Sequence, residues 1–262
     1  LLKYKYYYNL SFNNIIDPKN YDLIAHAGGE IDNFSYTNSL EAINLSYKKG
    51  FKFIELDILE TSDGHLVAAH DWESWANISG FNKKIPPSLK EFKEHKIYEK
   101  YTPLTIYDLE RWFKNRPETT LVTDKIDKPS KFLKVYNLKE QLIMELFSEK
   151  SIKEANKLDI QFFVSDIFLY KNLPLNRNLS EKLINLKNLR GITASNIVIS
   201  KHLNFFIEAF NDLGIGIYFY QISEKNYLKE DQIRFLCDFS NLLLGGYIET
   251  IDFKKEIKCS EN

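Results

Sequence analysis

The chain has 262 residues, 44% hydrophobic and 27% charged, and its 35 basic and 36 acidic residues leave a net charge of −1. That composition suits one large globular domain or two small ones, and the lack of a basic excess argues against nucleic acid as partner. With no run of 18 apolar residues, only 10 Gly and 7 Pro, and no sustained heptad, the sequence excludes a spanning helix within these residues, collagen, a coiled coil and wholesale disorder.

The chain opens on Leu1-Leu2-Lys3-Tyr4-Lys5-Tyr6-Tyr7-Tyr8, aromatics mixed with lysines as in segments flanking a membrane helix. Two readings of residues 1–20 stay open: an arm following a removed membrane anchor, with membrane association and an extracytoplasmic site, or an ordinary packed or disordered arm of a protein in any compartment. Short apolar runs bounded by turn residues then predict eight strands: Leu23 to Ala27, Phe53 to Ile58, Thr120 to Asp124, Leu142 to Phe147, Gln161 to Ser165, Leu189 to Thr193, Ile215 to Gln221 and Leu243 to Ile248. Helices fall between several of them. Asn38 with Glu41 reads as a capping box before Leu40, Ile43 and Tyr47, and Gly50 supplies the stop; Thr105 and Ser200 precede two further apolar faces.

Eight strands alternating with helices predict an α/β fold, a single (β/α)₈ TIM barrel over residues 21–255 with a polar tail at 256–262; a doubly wound open sheet is the runner-up. After the second strand, Asp63-Gly64 predicts a two-residue hairpin turn, which sets Asp57 opposite His70 unless a bulge shifts the register. Residues 73–102 lack periodicity and read as a long loop over the barrel mouth, a lid or a plain excursion. The cysteines, Cys237 in a helical pattern and Cys259 in the tail, are not expected to make a disulfide scaffold or a Cys-rich zinc site, and they leave the redox compartment undecided.

Active sites of such barrels lie at the carboxyl ends of the strands. His26 ends the first strand, Glu55 and Asp57 share one face of the second, His70 ends the hairpin return, and Asp124 ends the third. Two acids on one face of a buried strand are costly unless paired or metal-bound. An all-oxygen trio suits Mg²⁺ or Ca²⁺, and histidines left off the metal can serve as general base and acid, a combination fitted to displacement at phosphorus. Alternation turns Glu145 of the fourth strand and Tyr218 and Tyr220 of the seventh inward. Trp72 and Trp75 read chiefly as loop anchors, and His65, His95 and His202 carry no chemistry.

Ile24-Ala25-His26-Ala27-Gly28-Gly29, Thr37-Asn38-Ser39-Leu40-Glu41-Ala42, Phe53-Ile54-Glu55-Leu56-Asp57, Thr61-Ser62-Asp63-Gly64 and Ala69-His70-Asp71 resemble, in order and spacing, the N-terminal signature of the glycerophosphodiester phosphodiesterase family. Fainter resemblance runs through Leu121-Val122-Thr123-Asp124 to Gly246-Tyr247-Ile248-Glu249-Thr250. The superfamily includes the phosphatidylinositol phospholipases C and the sphingomyelinase D-like enzymes of venoms. The resemblance implies a TIM-barrel hydrolase of a small phosphodiester, phospholipid or polyol phosphate, with His26 and His70 as the acid/base pair and one divalent cation on Glu55, Asp57 and Asp124. Where the family has Arg, Glu and Lys, this chain has Ala27, Thr37 and Ile126, so Lys125 is expected to take over part of phosphate binding. Tyr220 matches the place of a pocket-wall Trp in the venom enzymes, and Glu145 lies near the same rim. The alternatives are a barrel that binds a phosphodiester without cleaving it, and a lyase that forms a cyclic phosphate.

Overall fold

A computed structural model of the chain describes residues 15–171, 182–221 and 229–259. The expectation for the arm falls largely on residues 1–14, outside the described residues. Among those that are described, no helix is long and apolar enough to cross a membrane.

The strands are β1 (Ile15–Ile16), β2 (Asp22–Ala25), β3 (Phe53–Glu60), β4 (Leu66–Ala68), β5 (Thr120–Asp124), β6 (Leu142–Leu146), β7 (Gln161–Ser165), β8 (Leu189–Ser195), β9 (Ile217–Tyr220), β10 (Gly245–Ile248) and β11 (Ile257–Lys258). Eight of them, β2, β3 and β5 to β10, are parallel neighbours, and the pairing of β2 with β3 closes the ring. The (β/α)₈ barrel read from the sequence is therefore the fold. Alternation divides the core in two. Ile54, Leu56, Met144, Ile217 and Phe219 pack toward the helices, whereas Ile24, Val122, Ile143, Phe163, Tyr218 and Tyr247 fill the barrel. The Tyr218 ring fits because its neighbours lack side chains: a Cβ on Gly191 would stand 2.7 Å from it, and one on Gly245 3.0 Å.

The described helices are α1 (Leu40–Lys49), α2 (Trp72–Ser79), α3 (Leu89–Glu94), α4 (Ile106–Lys114), α5 (Pro129–Leu133), α6 (Glu149–Lys157), α7 (Asp166–Lys171), α8 (Asn196–Lys201), α9 (Leu203–Ala209) and α10 (Lys229–Asp238). Three local expectations are corrected. The cap of α1 is Ser39, whose hydroxyl accepts from the Ala42 amide, because Asn38 is turned into the barrel. Ser200 lies inside α8, and the chain breaks at His202 before α9. The hairpin pairs Ile58 with Ala68 and Thr61 with His65, so its loop is Ser62-Asp63-Gly64, with Gly64 at φ +85°. That extra loop residue moves Asp57 opposite Ala69 instead of His70.

Residues 73–102 are more ordered than their polar composition suggests. Asp71 caps α2 through the Ser74 amide, Gly80 ends it in the left-handed region, and Ser88 with Glu91 forms a capping box for α3. Trp75, Phe81 and Phe92 pack with Val67 and Ala69 into a small core of their own. The tail is also held: β11 pairs with β1, and Cys237 and Cys259 form a disulfide. Sequence separation concealed that pair, since the fold carries the tail back to α10.

Candidate active site

The parallel register of β3 and β5 sets Asp57 beside Asp124, while Glu55 lies one pleat deeper on the same face. Ligand oxygens of the three carboxylates come within 4.8 Å of one another. Glu55 and Asp57 are buried, 1% and 2% exposed. Burial, and then the charges of Asp57 and Asp124, push Glu55 well above the usual carboxylate range; burial and Asp124 raise Asp57. Each is nonetheless gripped. Glu55 Oε2 accepts from the Ala27 amide at 2.6 Å, and Asp57 is held by both ends of Asn38, at 2.9 Å to its side chain and 3.0 Å to its amide. The other oxygen of Glu55 is buried without a hydrogen-bond partner. Repelling, fixed carboxylates with one unused oxygen are a donor set suited to a hard divalent cation.

Lys125 supplies the nearest positive charge, its Nζ 3.3 Å from Asp124 and 3.8 Å from Asp57. Those two carboxylates outweigh the effect of burial and raise its pKa. It reaches them from a left-handed backbone at φ +65°, which turns Ile126 into the helix-facing core. Ala27 also sits in a left-handed turn, at φ +47°, and is fully buried. Its amide, rather than its side chain, serves the site.

His26 follows β2 directly. Its Nδ1 lies 3.0 Å from Glu249 Oε1, and the two side chains are 15% and 1% exposed. Burial lowers the imidazole pKa, but Glu249, together with Asp57 and Asp124, more than offsets this and holds it above the ordinary value. His70 Nδ1 lies 2.8 Å from Asp71 Oδ2, with side chains 39% and 38% exposed. Although burial opposes it, the Ser74 amide and His70 carry the Asp71 carboxyl down to about 2. Tyr36 stands edge-on to both imidazoles, 4.7 Å from His26 and 5.2 Å from His70 between ring centres.

A cavity of about 380 Å³ opens at this rim, walled by His26, Glu55, Asp124, Lys125, Glu145 and Tyr220 among others. The structure thus gathers Lys125, Glu145 and Tyr220 around the carboxylates. Glu145 accepts from Thr193 at 2.8 Å and Tyr247 at 2.7 Å, and burial followed by Asp124 pushes it up to about 7. Tyr220 donates to buried Asp166 at 2.9 Å. Sequence reasoning assigned no role in the site to Glu249, Asp166 or Tyr36, and read Asn38 only as a helix cap. Glu249 was accessible through alternation, two residues beyond inward-facing Tyr247. Asn38 and Tyr36 depend on loop geometry that leaves no periodic mark, and Asp166 opens α7 just after β7.

Residues 26–85 match the model of the Glycerophosphoryl diester phosphodiesterase family. Solved structures share the fold at low identity. A glycerophosphodiester phosphodiesterase from Parabacteroides distasonis aligns with a TM-score of 0.64 and 16% identity over 88% of this chain and 93% of its own. One from Thermotoga maritima gives 0.63 and 16% over 87% and 94%. An Oleispira antarctica phosphodiesterase, in complex with the product sn-glycerol-3-phosphate, gives 0.62 and 16% over 88% and 94%. A comparison with curated proteins found no significant match. The stretch that carries His26, Glu55, Asp57 and His70 therefore bears the glycerophosphoryl diester phosphodiesterase family's pattern, on the barrel that the solved phosphodiesterases share.

Proposed function

We propose that this chain is a phosphodiesterase acting on a glycerophosphodiester or a related lipid or polymer phosphodiester. The observation that carries this reading is the convergence of three carboxylates, two of them on the wall of one cavity with a carboxylate-held histidine, and a second such histidine across Tyr36. The product in the Oleispira antarctica structure supports a glycerol phosphate half. Glu55, Asp57 and Asp124 would hold Mg²⁺ or Ca²⁺, which when bound neutralises phosphoryl oxygens. Lys125 offers a further positive charge to the phosphate, while Glu145 and Tyr220 wall the cavity.

In each histidine a carboxylate engages Nδ1, which leaves Nε2 to exchange a proton. A hydroxyl next to the phosphoester attacks phosphorus as one histidine takes its proton. The bond to the other alcohol breaks as the second histidine protonates the departing oxygen, giving a cyclic phosphate as the first product, which water then opens to a glycerol phosphate. Phosphorus NMR of glycerophosphodiesters, lysophospholipids and glycerol-phosphate polymers with either metal tests this directly. An early cyclic phosphate is expected, and substrates lacking the adjacent hydroxyl should be inert; equal cleavage of a deoxy substrate would contradict the intramolecular route. The Cys237–Cys259 disulfide supports an oxidising compartment.

A further inference from the structure

The carboxylate that holds His26 is not aimed by hydrogen bonds of its own. Glu249 Oε1 meets His26 Nδ1 at 3.0 Å, while Oε2 is buried with no hydrogen-bond partner among the described residues. A flexible side chain with a single partner takes its direction from the main chain that carries it. That main chain is held on both sides. The Glu249 carbonyl accepts from the Glu30 amide at 2.9 Å, and the Glu249 amide donates to Gln232 Oε1 at 3.1 Å.

Gln232 belongs to α10, where it opens a buried stripe continued by Phe235, Leu236 and, just past the helix, Phe239. An amide in an apolar stripe, 1% exposed, is costly unless both of its ends are paired. Both are, since Nε2 donates to the Tyr247 carbonyl at 3.4 Å while Oε1 accepts from Glu249. The two residues that it brackets are those through which the end of β10 serves the site: Glu249 holds His26, and Tyr247 donates to Glu145. The helix is a firm mount. Phe235 packs on Phe219 of β9, ring centres 5.2 Å apart, and Cys237 is bound to Cys259.

Resting on the phosphodiesterase reading for its catalytic consequence, we propose that Gln232 is a positioning residue. By bridging the Tyr247 carbonyl and the Glu249 amide it fixes the Glu249 carboxylate on His26 Nδ1, and so orients the imidazole that exchanges protons at Nε2. Besides Glu249, the charged groups around this imidazole are Glu55 and Asp57 of β3, Asp124 of β5 and Lys125, and the rings of Tyr36 and Tyr247 stand edge-on to it. Among these carboxylates Glu249 alone is hydrogen-bonded to it. Loss of the Gln232 bridge strands a buried amide and lets that one bond drift, while the other charges stay in place.

The test is proton NMR of the imidazole N–H that faces Glu249, assigned by its loss in His26→Ala. In the wild type this proton should be protected and shifted downfield by the carboxylate. Gln232→Met, which keeps the length of the side chain and removes both bonds, should abolish the signal or move it upfield, and should lower the His26 pKa by about half a unit or more. Gln232→Glu, whose buried carboxyl stays protonated and keeps both bonds, should restore the signal. Added to Glu249→Gln, Gln232→Met should shift the titration no further. Turnover of a glycerophosphodiester by Gln232→Met should fall about tenfold in kcat with KM little changed, since Gln232 does not wall the cavity. A Gln232→Met protein with a lower Tm but an unchanged N–H signal and His26 titration would overturn the proposal, as would a further shift in the double variant. Should Gln232→Met fail to fold, Gln232→Asn, which withdraws the amide by one methylene, decides on the same signal: a displaced N–H supports the role and an unchanged one refutes it. These readings need no turnover. If no diester is cleaved with Mg²⁺ or Ca²⁺, the phosphodiesterase reading fails, and the N–H signal still decides whether Gln232 sets the Glu249–His26 contact.

Discussion

His26 and His70 flank one tyrosine ring but stand on different supports. The His26 side is built from the barrel itself: a buried carboxylate, Glu249, holds the imidazole, and the carboxylates of β3 and β5 lie within its field. The His70 side is built from an excursion, with a half-exposed Asp71 that also caps α2. The contrast teaches where each kind of precision comes from. A buried, singly committed carboxylate can tune a proton acceptor, whereas an exposed one shared with a helix cap orients its partner but is screened by solvent.

The comparison can be broken most forcefully at the carboxylates. Glu55→Gln should abolish turnover, by about 10³-fold or more on the scale of lost charge neutralisation at phosphorus, and should erase any rise in Tm produced by Ca²⁺ or Mg²⁺. Without metal the variant should be at least as stable as the wild type, because it relieves like-charge repulsion. His26→Ala and His70→Ala should each cost about 10² to 10⁴ in kcat and leave the fold intact by circular dichroism.

Glu249→Gln against Asp71→Asn tests the asymmetry itself. With Glu249 neutralised, burial is opposed only by Asp57 and Asp124, and the pKa of His26 falls. The limb of kcat/KM that His26 sets should therefore move to lower pH. Asp71→Asn should leave that limb in place and cost less. Equal displacement of the limb by both would erase the distinction drawn between the two sides. The smallest effect concerns stability against pH. Glu145 is raised to about 7, and Glu55 and Asp57 are raised as well. Their contribution is present below the unfolded carboxylate range of about 4 and is lost as pH climbs through the folded values. The metal-free protein should therefore lose stability between about pH 4 and 7, and Glu145→Gln should flatten the upper part of that decline in urea titrations.

The barrel was legible because each of its strands alternates or runs apolar between turn residues, and because Glu55 and Asp57 are an anomaly inside an otherwise apolar run. Period-two alternation also placed Glu145 and Tyr220 inside the barrel. What escaped lies where side chains answer to tertiary partners. Asn38 looked like a helix cap, but Asp57 claims its amide, and Ser39 caps the helix instead. One residue added to a turn displaced the pairing of His70. The order of residues 73–102 was concealed by its lysines, although Asp71, Gly80 and Ser88 with Glu91 are ordinary signals for helix ends.

The central claim is that three fixed carboxylates and two carboxylate-held histidines make one phosphodiester-cleaving site. It is tested most directly by calorimetric titration of Ca²⁺ and Mg²⁺ into the wild type and Glu55→Gln, paired with phosphorus NMR of a glycerophosphodiester in the same samples. The wild type should bind one equivalent of cation and cleave the diester only when it is bound, and the variant should do neither. Cation binding that survives Glu55→Gln, or cleavage that persists in chelator, would contradict the account.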